Sequence, residues 1–76
     1  MSDLAPLPPI QLGRYRHYKG NEYEVIGVAR HSETLEPLVL YRPHRGTSGL
    51  WVRPMAMFFA QVQVEGHWRQ RFEFVG

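Results

Sequence analysis

GRYRHYKGNEYEVIGVAR, residues 13–30, reads as a strand, a turn and a second strand. Arg14 to Lys19 would form the first strand. Gly20-Asn21 would supply a tight turn, because both residue types tolerate the positive φ that a hairpin needs. Glu22 to Arg30 follows as a longer strand in which Tyr23, Val25, Gly27 and Ala29 point one way and Glu24, Ile26, Val28 and Arg30 the other. Apolar side chains fall on both faces. Gly27 in the middle predicts a bulge or sharp bend, the device by which a small barrel turns its corners. Pairing across Gly20-Asn21 would set Lys19 near Glu22 and His17 near Glu24.

Downstream the punctuation continues. Residues 32–37 form a polar connection, residues 38–42 another β-rich run bounded by Pro43, and residues 44–49 a loop with two glycines, a serine and a threonine. Leu50 to Arg53 makes a short strand. Pro54 then opens Met55-Ala56-Met57-Phe58-Phe59, where a proline ahead of good helix formers predicts one helical turn. Residues 61–65 and 67–75 alternate as a hairpin around Gly66, with Val62, Val64, Trp68, Phe72 and Phe74 assigned to one apolar face. Upstream, Pro6, Pro8 and Pro9 favour extended geometry over helix or sheet and include a PxxP spacing. The resulting expectation is an all-β fold: a small, strongly bent SH3-like barrel of five to six short strands with one helical turn. An open meander is the alternative. Residues 1–12 are assigned to a flexible proline-rich tail and residues 13–76 to a single β-barrel domain.

Composition limits the function classes. With 76 residues there is one hydrophobic core, and with no cysteine to staple it, the 13% aromatic residues must supply much of the buried area. The lack of cysteine fits a reducing compartment. Residues 1–10 contain neither a basic segment nor an apolar run of signal or membrane-spanning length, so a cytoplasmic protein without membrane contact is expected. The net charge of +2, with eight of nine basic residues arginine, would tolerate an anionic partner without forming the concentrated basic stripe of a dedicated nucleic-acid binder.

Two constellations carry candidate chemistry. His31-Ser32-Glu33-Thr34 offers a base, a hydroxyl and a carboxylate within four residues. The favoured reading is a polar turn whose hydroxyls bond local backbone while Glu33 and Glu36 are solvated. His31 and Glu33 also have types suited to zinc or iron, but His17, His44 and His67 lack ligand spacing, and no metal or other cofactor is expected. His17 and His31 would lie ~30 Å apart along a straight ladder, so only tight curvature could unite them. In the second constellation Tyr15, Tyr18, Tyr41 and Trp51 interleave with Arg14, Arg16, Arg42, Arg45 and Arg53. Such a set can stack and neutralise nucleic acid, line a peptide groove, or be core aromatics beside ordinary surface charge. If Leu50 and Val52 are core, Trp51 faces the other way and is left partly exposed. Met57 and Phe58 would plug a barrel end, and Arg53 would bridge to Glu33 or Glu36.

The ordered series Gly13-x-Tyr15-x-His17-Tyr18-Lys19-Gly20, Tyr23, His31-Ser32-Glu33-Thr34-x-Glu36, Val39-x-Tyr41 and Trp51-Val52-Arg53-Pro54 with Met57-Phe58 resembles a bacterial family, domain of unknown function 1653, over residues 13–75. The resemblance implies a bacterial, cytoplasmic protein and brings no established activity. It singles out His17, Tyr18, Lys19, His31, Ser32, Glu33, Thr34, Glu36, Tyr41, Trp51 and Arg53. Combined with the residue chemistry, it leads to the expectation of a non-enzymatic binding module whose ligand contacts Tyr18, Lys19, His31, Glu33, Trp51 and Arg53. That ligand would be a peptide, a protein or a single-stranded nucleic acid. The alternative is a small hydrolase-type or metal-dependent enzyme centred on His31 and Glu33, with His17 drawn in.

Overall fold

The computed structural model describes residues 5–46 and 48–76; the first four residues of the expected tail and Thr47 of the expected loop lie outside it. Among the described residues seven strands and one helical turn follow one another as β1 (Gly13–His17), β2 (Glu22–Arg30), β3 (Pro37–Pro43), β4 (Trp51–Pro54), α1 (Met55–Phe58), β5 (Gln61–Val64), β6 (His67–Gln70) and β7 (Phe72–Phe74). The all-β class is as expected, with more strands than the five or six anticipated. β4-β3-β2-β1-β7 form one antiparallel sheet and β5-β6 a second. Among the described residues β4 and β7 remain sheet edges, so the ladder does not close into a barrel.

The turn between β1 and β2 is longer than Gly20-Asn21. Arg16 pairs with Glu22 and Tyr15 with Tyr23, so Tyr18 to Asn21 form the connection, and the expected pairs Lys19–Glu22 and His17–Glu24 do not form. The N–H of His17 donates to the carbonyl of Asn21 at 2.7 Å, and that of Gly20 returns to His17 at 2.7 Å. Gly20 has φ +108°, a conformation that favours glycine, whereas Asn21 has none of the positive φ assigned to it.

The bulge in β2 lies beside Gly27. Val25 pairs with Tyr41 and Gly27 with the next residue of β3, Leu40, leaving Ile26 as the extra residue. An extra residue reverses the alternation beyond it. Val28 therefore pairs with the fully buried Val39 and shares the inner side with Tyr23 and Val25, opposite to the strict two-residue parity read from the sequence. A Cβ on Gly27 would meet nothing within 4 Å, so the inserted residue, rather than a close approach at glycine, accounts for the bend.

At the C-terminal end, the single strand expected over residues 67–75 is broken at Arg71. The Arg71 N–H donates to Ala60 at 3.0 Å, its carbonyl accepts from Tyr18 at 2.9 Å, and its Nε donates to the Met57 carbonyl at 3.1 Å. These three bonds turn the chain away from β5 and deliver β7 to β1, where Phe72 pairs with His17 and Phe74 with Tyr15. The expected apolar hairpin face does not exist. Val62 and Val64 lie opposite Arg69 and His67, while Trp68 lies opposite Gln63 and is 65% exposed.

The core consists of Tyr15, Val25, Val39, Tyr41, Phe58 and Phe72, with Ile10, Tyr23 and Met55 packed against it. Phe58 is fully buried and stacks on Phe72 with ring centroids 4.0 Å apart and planes at 2°, and Tyr15 and Tyr41 meet it edge-on at 5.4 and 5.5 Å. Such edge-to-face contacts add about 0.5–1.5 kcal/mol each beyond area burial. Phe58 belongs to this core, although no closed barrel end exists for it to plug among the described residues. Met57 lies outside the core, being 48% exposed. The described part of the tail touches the domain: the Tyr15 hydroxyl donates to the Gln11 carbonyl at 2.7 Å and Arg30 donates to the Ala5 carbonyl at 2.7 Å. No helix among the described residues is long and apolar enough to cross a membrane.

Candidate functional site

Cross-strand pairing builds an aromatic surface at one end of the sheet. Trp51 on β4 lies directly opposite Tyr41 on β3, and Tyr23 on β2 lies opposite Pro43. The indole consequently sits 6.0 Å from the Tyr23 ring and 6.1 Å from that of Tyr41, on the inner side. β4 is an edge strand, so no further strand covers its far side among the described residues, and Trp51 stays 42% exposed. The partial exposure is as expected, but its reason is different: Leu50 and Val52 are not core, at 58% and 53% exposed.

A depression of about 550 Å³ opens beside this ring, lined by Tyr23 and Trp51, by the Gly20–Glu22 end of the turn and by Pro43, His44 and Arg45. The His44 N–H donates to the Glu22 carbonyl at 2.9 Å, which ties the segment after β3 to the start of β2. A second depression of about 260 Å³ lies on the other side of the same turn, among Arg16, His17, Tyr18, Arg69, Gln70 and Glu73. Lys19 follows Tyr18 in the turn, with its ammonium 5.9 Å from the Tyr18 ring centroid.

His17 and Arg53 complete this end. His17 packs edge-on against Phe72 at 4.9 Å and tilted against Tyr18 at 4.4 Å, and its Nδ1 accepts the Lys19 N–H at 3.2 Å. Burial, and then the positive charges of Arg53, Lys19 and Arg71, lower its pKa. The Arg53 guanidinium lies 5.7 Å from the Phe72 ring centroid, and its Nε donates to the Tyr41 hydroxyl at 3.4 Å. The expected bridge from Arg53 to Glu33 or Glu36 is absent among the described residues.

Two of the local carboxylates are already engaged. Glu22 accepts Arg16 at 3.1 Å and faces Arg14 at 3.5 Å; the Arg16 hydrogen bond above all, with the charges of Arg14 and Arg16 behind it, holds this carboxyl below its ordinary range. Glu24 pairs with Arg42 at 2.8 Å. By contrast, Lys19, Arg45, Arg53 and Arg69 meet no carboxylate within 4.0 Å among the described residues.

His31 and Glu33 lie elsewhere. The nine residues of β2 separate the turn carrying Lys19 from His31, a span of ~30 Å in extended chain. His31 Nδ1 accepts the backbone N–H groups of Glu33 at 3.0 Å and Thr34 at 3.1 Å, and its carbonyl accepts that of Leu35 at 2.9 Å. The Thr34 hydroxyl donates to Glu36 at 3.1 Å and accepts the Glu36 N–H at 3.3 Å. This geometry secures a turn. Leu35, at φ +67°, is held within it by Arg30, which donates to its carbonyl at 3.0 Å. No group of three or more potential ligands is placed to hold a metal ion among the described residues.

Of the six residues expected at a ligand site, Tyr18, Lys19, Trp51 and Arg53 therefore gather at one end, and His31 and Glu33 stand at the other. Tyr23, Pro43, His44 and Phe72 join them unexpectedly, and Arg45, part of the tyrosine–arginine constellation, was not among the six. The β2–β3 register would have found Pro43 and its neighbours, but a one-residue bulge is enough to hide it from a strict count. Phe72 was hidden by the break at Arg71.

A family model described as "Protein of unknown function (DUF1653)" matches residues 13–74. A crystal structure of a protein belonging to the same family, from Bordetella bronchiseptica, has a TM-score of 0.79 and 33% sequence identity to this chain, over 88% of each chain. No curated protein matches.

Proposed function

Because the chain belongs to the DUF1653 family, whose description carries no activity, we propose from the geometry of its residues that it is a non-enzymatic binding module. Its contact surface comprises Tyr18, Lys19, Tyr23, Arg45, Trp51 and Arg53, with residues 13–76 as the folding unit. The supporting observation is Trp51, a large ring 42% exposed at the mouth of a depression of about 550 Å³ and braced from behind by two tyrosines. A braced aromatic contributes contact area with little entropy left to lose, which is why such residues anchor recognition surfaces. His31 and Glu33 serve this module as the fastening of the distant turn. The cysteine-free composition supports a cytoplasmic setting.

Amide chemical-shift mapping of the ¹⁵N-labelled chain tests the reading, with three probes: a short oligothymidylate, an oligoglutamate peptide and a proline-rich peptide. At least one should move resonances of residues 18–23, His44, Arg45 and the Trp51 indole N–H together. Shifts centred instead on residues 31–36, or no shifts with any probe, would contradict it.

A further inference from the structure

The two depressions flank a single turn, and around them stand rings together with cations, Lys19, Arg45 and Arg69, that meet no carboxylate within 4.0 Å among the described residues. Arg45 and Trp51 border the first depression, Tyr18 and Arg69 border the second, and Lys19 lies in the connecting turn between Tyr18 and Gly20. Glu22, the one acid of the first depression, is engaged by Arg14 and Arg16, so it does not oppose an incoming anion at full strength. Glu73 is the one acid of the second, which Arg16 and Arg69 also line, and it makes no ion pair within 4.0 Å among the described residues.

This pattern restricts the ligand. An acidic peptide would satisfy the cations and leave the Trp51 and Tyr18 faces without a flat partner. A proline-rich peptide would cover the rings and leave Lys19, Arg45 and Arg69 unanswered. A chain that repeats an anion and a planar group at every unit answers both, and planar bases stack on exposed rings regardless of their identity. The strand must be single, because bases closed into a duplex cannot present their faces to Trp51. Resting on the binding-module reading above, we propose that the surface across the Tyr18–Lys19 turn takes a single-stranded nucleic acid, with bases stacked on Trp51 and Tyr18 and phosphates beside Arg45, Lys19 and Arg69.

The experiment is fluorescence anisotropy of the full chain with a labelled oligothymidylate of about eight nucleotides, within the range a small β module covers, and with labelled oligoglutamate in parallel. Three phosphates neutralised at a slope of about −0.7 each would weaken oligothymidylate binding about 20-fold between about 50 and 200 mM salt. Loss of one stacking ring in Trp51→Ala should weaken it about tenfold at either salt. Arg45→Glu should weaken it comparably and flatten the salt dependence. Arg45 is exposed, so that variant preserves the test should Trp51→Ala melt early.

Oligoglutamate bound as tightly as oligothymidylate, with both lost in Trp51→Ala, would overturn the nucleic-acid inference and leave the binding surface standing. Oligothymidylate binding indifferent to both substitutions would overturn it as well, placing the contact elsewhere. Absence of binding by either probe, together with silence in the chemical-shift mapping, would remove inference and surface alike.

Discussion

His31→Ala is expected to lower the stability of the domain by about 1–2 kcal/mol without touching the Trp51 surface. The His31 Nδ1 accepts two backbone N–H groups, at 3.0 and 3.1 Å, on a turn whose other bonds depend on the same loop closure. A net hydrogen bond contributes about 0.5–1.5 kcal/mol, and the solvent exposure of this turn places each near the lower end. Leu35 adds strain, since its left-handed backbone costs roughly 1–2 kcal/mol for a residue with a Cβ and persists only while its surroundings hold it. For a domain of this size, each kcal/mol moves the melting temperature by about 4–8 °C. His31→Asn offers a side-chain acceptor at nearly the same reach, as Asn does in Asx turns, and should recover at least half of the loss. Thermal unfolding followed by circular dichroism at pH 7.5 measures all three chains. If His31→Ala melts with the wild type, the turn-fastening role is wrong; if His31→Asn melts as low as His31→Ala, the acceptor argument is wrong.

Other consequences can be checked with the same melts. The β5–β6 turn has Glu65 at φ +51° and Gly66 at φ +82°, the signature of a two-residue hairpin in which asparagine is preferred at the first position, so Glu65→Asn should raise stability by about 1 kcal/mol; a lower melting temperature would refute this. Phe58→Ala should cost about 3–5 kcal/mol, a large share of a small domain's stability, while Met57→Ala should stay within about 0.5 kcal/mol. Equal effects of the two substitutions would contradict the core described here. His17 titrates below its ordinary value, so its contribution to stability is complete above about pH 6.5, declines as pH falls toward the lowered value and is gone beneath it. Between about pH 7 and 5 the wild type should therefore lose more stability than His17→Asn, and parallel pH profiles would count against the burial and the nearby Arg53, Lys19 and Arg71 charges as causes. Removal of residues 1–9 should lower stability by about 0.5–1 kcal/mol through loss of the Ala5 acceptor for Arg30. Removal of residues 1–12 should lower stability by about 1–3 kcal/mol through loss of Ile10 packing and of the Gln11 acceptor for Tyr15.

Local patterns in the sequence were legible wherever the physics was local. Pro54 ahead of Met55 announced the helical turn because proline closes off strand pairing and sets up the entry. Gly66 announced its hairpin for the corresponding reason. Gly27 announced a bulge, but the sequence did not say which neighbour would be squeezed out of the ladder, and that choice reversed the facing of Val28. The β1–β2 register was likewise misread, since Gly20-Asn21 is a good turn signal and the chain used only its glycine, inside a longer connection. Non-local choices were hidden altogether. Nothing in residues 67–75 marks Arg71 as a break, because its three partners belong to Met57, Ala60 and Tyr18. The same holds for the proposed site: Tyr18, Lys19, Arg45, Trp51 and Arg53 were identifiable by type, whereas the approach of Arg45 and Tyr23 to Trp51 depends on the pairing of β2 with β3. His31 and Glu33 suited chemistry by type, and the placement of two backbone N–H groups on His31 gives that type a structural use.

The emission of Trp51 reports most directly on the account as a whole. In Trp68→Phe, which deletes the exposed indole of β6 and leaves Trp51 as the sole tryptophan, titration with oligothymidylate should quench the fluorescence to a saturating plateau that recedes as salt is added. An emission unchanged in intensity and wavelength by oligothymidylate, oligoglutamate and the proline-rich peptide alike would contradict the claim that the Trp51 end of the sheet is a recognition surface.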